Sequence, residues 1–346
     1  MTTVLESQPL LADAASVAAD PSRYRILTGD RPTGPLHLGH YLGTLQNRVR
    51  LQESGVETFV VIADYQVITD RAHPGDIASN VHEIVLDYLA AGLDPARTTI
   101  FVHSAVPALN QLMLPFLALT SVPELQRNPT VKSEAADVGL SAISGLLLTY
   151  PVHQAADILF CHGNLVPVGQ DQLPHIEQTR LIARRFNERF GQVFTEPQAL
   201  LSESPALLGI DGRKMSKSRG NGISLRANED ETARLIRRAV TDSERLITYE
   251  PARRPEVASL LLMGALCAGT SPESLAAQIG DGGAFSLKQM VTEAVNEHLR
   301  PLRERRAELA DDAGLVRSVL SKGADRANEE ANRTLTDVHA ALGMRY

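Results

Sequence analysis

The sequence predicts an α/β fold, a doubly wound parallel sheet followed by an all-helical C-terminal part. Two observations carry the first half. Residues 58–63 (TFVVIA) and 98–102 (TTIFV) are short, almost wholly apolar runs, the pattern of strands buried on both faces. They alternate with helical periodicities, which pack as helices on both sides of a sheet in the Rossmann-like arrangement. A third observation carries the second half: beyond Asn221 no convincing strand remains, and helical patterns with charged faces run on.

The elements follow in order. The first 20 residues are alanine-rich, mildly acidic and free of Lys and Arg. They predict a loose extension over 1–22 and argue against a signal peptide, whose first segment is basic. A strand at 24–27 ends in the Gly/Pro turn 28–35, after which Leu38, Leu42, Leu45, Val49 and Leu51 mark one helix face. The strand at 58–63 stops at Asp64, the end of a strand at which open α/β sheets bind ligands. A helix over 74–91 closes at Gly92, the strand 98–102 follows, and 166–169 is a fourth strand leading into Gln170, Asp171 and Gln172. Helices are expected at 229–240, 255–268, 286–308, 312–321 and 324–342, with Gly282 and Gly283 as a break. The expected division is therefore an extension (1–22), a Rossmann-like domain (23–225) and a helical domain (226–346). A closed barrel would need eight evenly spaced strands, which are not visible.

Composition bounds the function. With 346 residues, 43% of them apolar and 22% charged, the chain can fill a sizeable core and suits a soluble protein. It has no apolar run of the ~18 residues a membrane span needs, so no membrane partner is expected. Cys161 and Cys267 are too few for a disulfide framework or a four-cysteine zinc site. They read as buried free thiols of a reducing compartment, and the cytoplasm is expected. A net charge of −7 gives no support to DNA binding, while leaving open a local basic track for a folded RNA.

Two segments carry chemistry. In residues 28–43 (TGDRPTGPLHLGHYLG) a glycine/proline turn lets backbone approach a ligand closely, and a helix starting near His37 aims free N–H groups at it. His37 and His40 stand three apart on one helix face and suit hydrogen bonding to phosphate oxygens. The plainer alternative is that both imidazoles cap and fill the helix start. Neither GxxxxGK[ST] nor GxGxxG occurs, so the usual P-loop and dinucleotide signatures give no support. The second segment, 211–221 (DGRKMSKSRGN), places Arg213, Lys214, Lys217 and Arg219 within seven residues, among glycines. Such a loop can close over a polyphosphate and neutralise a departing pyrophosphate. Alone, it is equally a solvated basic turn.

Together, HLGH at 37–40 and KMSKS at 214–218 resemble the two signatures of the class I aminoacyl-tRNA synthetases, in the same order and with an α/β domain between them. The runs at 32–43, 147–159, 166–180 and 239–244 are similar to the tryptophanyl branch of the tryptophanyl/tyrosyl subgroup, over residues 23–346. The resemblance implies activation of tryptophan by ATP with Mg2+, no dedicated protein metal site, transfer to tRNA(Trp), and a homodimer. It assigns His37, His40, Lys214 and Lys217 to catalysis. ATP would be held by Arg31, Gly39, His40, Gly169, Asp171, Lys214, Met215, Ser216, Lys217 and Ser218. Asp157 would accept the indole N–H, with Tyr150 and Gln172 completing the tryptophan pocket. Gly39 matches the glycine on which adenine packs.

The chain departs from the usual pattern at Arg31, Gln66 and Gln170, and around 131–140 it offers only Lys132. Lys214 and Lys217 are therefore expected to carry more of the pyrophosphate charge. Arg237, Arg238, Arg253, Arg254, Arg303, Arg305 and Arg306 are candidate tRNA contacts or else solvated faces. Three alternatives stand against this reading: a related nucleotidyltransferase, a non-catalytic synthetase-like binding or regulatory protein, and a purely structural helical/αβ protein.

Overall fold

The computed structural model describes residues 9–69, 73–138, 143–201, 207–217 and 219–346, with the side chains of 134–138 excepted. Strands β1 (Arg25–Asp30), β2 (Glu57–Ile62), β3 (Thr98–Val102), β4 (Leu165–Val168) and β5 (Gln198–Leu201) form one parallel sheet. Its order is β3-β2-β1-β4-β5. The chain builds outward from β1 to β3, then restarts on the other side of β1. That reversal leaves a crevice at the carboxyl ends of β1 and β4, where an open sheet binds its ligand.

The helices are α1 (Ala14–Ala19), α2 (Leu38–His40), α3 (Gln46–Glu53), α4 (Ile77–Ala91), α5 (Ala108–Leu117), α6 (Val122–Arg127), α7 (Pro129–Val138), α8 (Gly145–Leu159) and α9 (Leu173–Phe190). Beyond the sheet lie α10 (Glu229–Arg238), α11 (Pro255–Ala268), α12 (Pro272–Ile279), α13 (Gly283–Ala310) and α14 (Leu315–Ala341). A π-helical turn, Tyr41–Leu45, joins α2 to α3. Gly92 ends α4 with φ 110°, a left-handed conformation that only glycine adopts freely.

Three differences from the sequence reading have physical reasons. Strand β5 escapes notice because it is four residues long and follows a proline. Residues 10–20, expected to be loose, flank it: Ala12 N–H donates to the Ala199 carbonyl (2.9 Å), and Ala199 N–H to that of Leu10 (2.8 Å). Val17 of α1 is buried with Ile26, Leu51, Val56, Leu165 and Leu200. Third, the helices expected at 312–321 and 324–342 are one, α14. Gly323 does not break it; a Cβ there would lie 1.8 Å from the Ile100 carbonyl oxygen, so glycine allows the helix to cross β3 closely.

Through that crossing Ala327, Ala331, Leu335 and Val338 join Phe59, Phe101 and Phe160 in the core of the α/β part. The helical half is thus split: α10–α13 pack among themselves and on α4, while α14 returns to the sheet. Arg306 binds Asp87 Oδ1 (2.7 Å) and Glu83, and Arg305 donates to the Ala90 carbonyl (2.9 Å), fastening α13 to α4.

Candidate active site

A cavity of about 350 Å³ opens at the carboxyl ends of β1 and β4. Gly29, Asp30, Arg31 and His40 line one end; Gln66, Tyr150, Asp157, Gly169, Gln172 and His175 line the other.

The histidine end is set by a pairing across the chain. Leu38 N–H donates to the Ile223 carbonyl (2.8 Å) and Leu225 N–H to that of Leu36 (3.0 Å), so the segment after the lysine loop grips the start of α2. His37 N–H donates to His40 Nδ1 (3.3 Å), which leaves the proton of a neutral His40 ring on Nε2. The two rings lie 3.7 Å apart between centroids. Burial, then the Lys217 charge, lowers His37 to about 4. Burial likewise lowers His40 to about 3, against the pull of Asp30. Both rings are neutral near pH 7, each offering one N–H rather than a full positive charge.

The lysine loop is held from inside. Asn221, 3% exposed, accepts the Ser216 N–H (2.8 Å) and donates to Asp211 Oδ1 (2.8 Å) and the Lys214 carbonyl (3.2 Å). Met215 is buried against the start of α2; a Cβ on Gly39 would come within 3.2 Å of its sulfur and 3.1 Å of His37 Nδ1. Lys217 turns inward, its Nζ donating to the Arg31 carbonyl (3.2 Å), whereas Lys214 stays exposed. The two lysines therefore do not meet at one point. Ser218 lies outside the described residues.

At the far end Asp157 on α8 is 3% exposed and its Oδ1 has no hydrogen-bond partner. His103 Nδ1 stands 3.3 Å from that oxygen without a hydrogen bond's geometry. Burial, then the charge of Asp64, pushes the Asp157 carboxyl well above its ordinary range. Gln66 Nε2 lies 3.3 Å from Nδ1 of both His103 and His153, and His153 Nε2 is 3.0 Å from Asn110 Oδ1. Tyr150 shares a hydrogen bond with His175 Nε2 (3.1 Å). Asp171 is exposed and stands at the rim beside Gly169, whose added Cβ would lie 2.7 Å from Asp171 Oδ1. Lys132 is exposed on α7 and does not line the cavity.

One end thus presents the neutral His40 ring and Arg31, with His37 and Lys217 behind them and outside the lining; the other presents the buried Asp157 carboxyl, its Oδ1 without a hydrogen-bond partner. The family model for tRNA synthetases class I (W and Y) matches residues 20–300. The chain is 42% identical over 334 residues to the tryptophan–tRNA ligase of Streptococcus agalactiae, covering 93% of this chain and 98% of that one. The chain belongs to the tryptophanyl-tRNA synthetase family. The tryptophan–tRNA ligase of Treponema pallidum is also 42% identical, over 330 residues, covering 92% of this chain and 97% of that one. The crystal structure of tryptophanyl-tRNA synthetase from Campylobacter jejuni, complexed with ADP and tryptophan, matches with TM-score 0.80 and 31% identity. That match covers 92% of this chain and 99% of that chain.

Within this synthetase fold, the sequence reading missed a cluster beneath His40. Asp30, the last residue of β1, accepts from Arg48 Nη1 (2.7 Å) and from the Tyr88 hydroxyl (2.6 Å). Arg48 is 4% exposed and Tyr88 0%. The signal was present as a charged residue within each of two otherwise apolar faces, but spacing alone does not pair residues 30, 48 and 88. His103, His153, His175 and Asn221 were missed for the same reason.

Proposed function

We propose that this synthetase activates L-tryptophan with ATP, giving tryptophanyl-adenylate and pyrophosphate, and then esterifies tRNA(Trp). The observation that carries this reading is one cavity, at the switch point of the sheet, with phosphate-type donors at one end and an unpaired buried carboxylate at the other. Indole has a single donor, and a desolvated carboxylate rewards it strongly. The tryptophan carboxylate attacks the α-phosphorus in line and pyrophosphate leaves, so no protein nucleophile is required. His40 donates through Nε2–H, His37 backs it, and Lys217 supplies positive charge as the pyrophosphate departs. Lys214 joins only when its part of the loop swings inward. Gly39 and Gly169 leave room for the nucleotide, and Arg31, Met215, Ser216 and Ser218 complete its surroundings, with Asp171 at the rim.

Among the described residues no three His, Cys, Asp or Glu side chains converge as a metal-binding group. Mg2+, a hard cation that keeps its waters and leans on substrate phosphates, would travel on the ATP phosphates, where it neutralises charge.

The arginines expected to meet tRNA divide. Arg254 is 3% exposed and bound to Asp242, Arg253 pairs with Glu244 and Glu250, and Arg303 donates to Asn296 and Thr232. With Arg305 and Arg306 fastened to α4, Arg237 and Arg238 at the exposed end of α10 are left to face the anticodon arm. Phe285, 78% exposed near the start of α13, offers a surface on which a base can stack, and three residues on Lys288 Nζ donates to the Arg237 carbonyl. A homodimer would cover Leu114 and Val122, apolar and 69% and 55% exposed on α5 and α6. Cys161 and Cys267 are free thiols, both pushed up to about 12 by burial, and we read them as those of a protein of the reducing cytoplasm.

ATP–pyrophosphate exchange with each of the twenty amino acids tests the reading. Tryptophan alone should support exchange. Exchange with tyrosine instead, or with no amino acid even when tRNA is added, sinks it.

A further inference from the structure

We infer that the buried unit Asp30–Arg48–Tyr88 positions Lys217: it fixes the carboxyl end of β1, and the next carbonyl along, that of Arg31, holds the lysine amine beside the cavity. The inference rests on reading that cavity as the ATP site. The geometry is specific. Both bonds to Asp30, from Arg48 Nη1 and from Tyr88, end on Oδ2, and Arg48 Nη2 reaches back to the Gly29 carbonyl (3.2 Å). Three elements, β1, α3 and α4, thus fix one carboxylate. Lys217 Nζ docks on the carbonyl of Arg31, the residue immediately after it.

A carboxylate is an unexpected guest beside a polyphosphate, since it repels the ligand and costs desolvation. Arg48 neutralises it, yet Arg48 is 4% exposed and committed to Asp30 and Gly29. A buried ion pair is seldom retained for stability, because an apolar pair of similar volume holds a fold as well or better. What the pair adds is a fixed local field. A lysine amine is a point charge on a flexible stem and needs a partner to hold it in one place. Burial disfavours the charged Lys217, and among the neighbouring charges Asp30 is the foremost that favours it. Counting Asp30, Arg48 and Lys217, the cluster keeps one net positive charge, and that charge resides on the lysine. ATP then meets a lysine already in place, and less ordering remains to be done on binding.

Asp30 is thus a positioning residue acting through Lys217, which a double-mutant cycle in ATP–pyrophosphate exchange distinguishes from a structural role. Asp30→Asn should lower kcat/KM for ATP by about tenfold, the usual size of coupling between neighbouring groups, and leave the tryptophan KM unchanged. In a Lys217→Ala background the same substitution should cost nothing more. An equal loss in both backgrounds overturns the inference. Because Asp30→Asn strands Arg48, the pair variant Asp30→Leu/Arg48→Met is the control for folding. It should melt near the parent temperature and still show the lowered kcat/KM; full activity in a folded pair variant also overturns the inference. Trypsin cleavage of the ligand-free protein reads the anchor without any catalysis. Cleavage after Lys217 should be faster in Asp30→Asn, and an unchanged rate refutes the anchor even if tryptophan-dependent exchange is observed.

Discussion

Asp157→Ala probes the tryptophan end of the cavity most directly. The Asp157 side chain is 3% exposed and Oδ1 is unpartnered, so an indole N–H arriving there gains a charge-assisted hydrogen bond out of water. Such a bond contributes about 1.5–3 kcal/mol, which converts to a rise of about 10- to 150-fold in the tryptophan KM and dissociation constant. The ATP KM should hardly change, because His40 and Lys217 lie at the other end. The chain has no tryptophan of its own, so indole fluorescence excited at its red edge reports the ligand alone and gives the dissociation constant by titration. Unchanged tryptophan affinity in a folded, exchange-competent variant would remove Asp157 from the indole contact. A pH series sharpens the test. Burial and Asp64 hold the Asp157 carboxyl well above its ordinary range, so tryptophan binding should weaken on acidification before an ordinary aspartate titrates. Asp157→Asn should lose that dependence. His103 and His153, lowered by burial to about 3 and about 4, stay neutral near pH 7 and do not supply it.

Two further outcomes concern the fold. Gly323→Ala sets a Cβ 1.8 Å from the Ile100 carbonyl oxygen, backbone against backbone, and should cost about 3 kcal/mol or more by lifting α14 from β3. Thermal unfolding followed by circular dichroism checks it; a melting temperature equal to the parent's would mean that the crossing is looser than described. His37, His40, His103, His153 and His175 are all lowered from the ordinary 6.5, to about 4, 3, 3, 4 and 4. Between those values and 6.5 the unfolded chain binds protons that the folded one does not. Their stabilisation is therefore complete above 6.5 and lost as pH falls towards 4, at up to about 1.4 kcal/mol per pH unit for each. Asp157 and Asp87, both shifted upward by burial, work in the opposite sense, but they are two groups against these five histidines and His162 and His298, which burial also lowers. Urea titrations at pH 7 and pH 5 should differ strongly, and equal midpoints would refute the assignment.

What the sequence made legible was whatever repeats locally. β2 and β3 stand out because full burial removes polar residues from both faces, and α11 because an apolar run lies between a proline and Gly269. His40, Arg31, Tyr150, Asp157, Gly169 and Gln172 line the cavity, and each belongs to a motif read within a few residues, whereas His37, Gly39, Met215 and Lys217 do not line it. The losses are all relations across distance. Gly323 looks like a helix break until Ile100 is known to lie under it. Arg306 looks like an RNA contact until Asp87 and Glu83, more than 200 positions away, claim it. Asp30 is unremarkable until Arg48 and Tyr88 close on it.

The same distinction applies inside the lysine loop, where the two lysines are chemically equivalent in sequence and unequal in place. Met215 is fixed between them, packed on Gly39, His37 and Gly222, while Asn221 holds the backbone of Ser216 and Lys214. Residues on either side of Met215 must then leave in different directions. Lys217 falls towards Arg31 and Asp30; Lys214 falls towards solvent, on a stretch that pairs with Leu208. Bringing Lys214 to a phosphate requires that pairing to open, whereas Lys217 has only to exchange the Arg31 carbonyl for a ligand oxygen. Lys217 should therefore be the first charge that ATP meets. Lys214 should matter most later, once pyrophosphate charge has begun to develop.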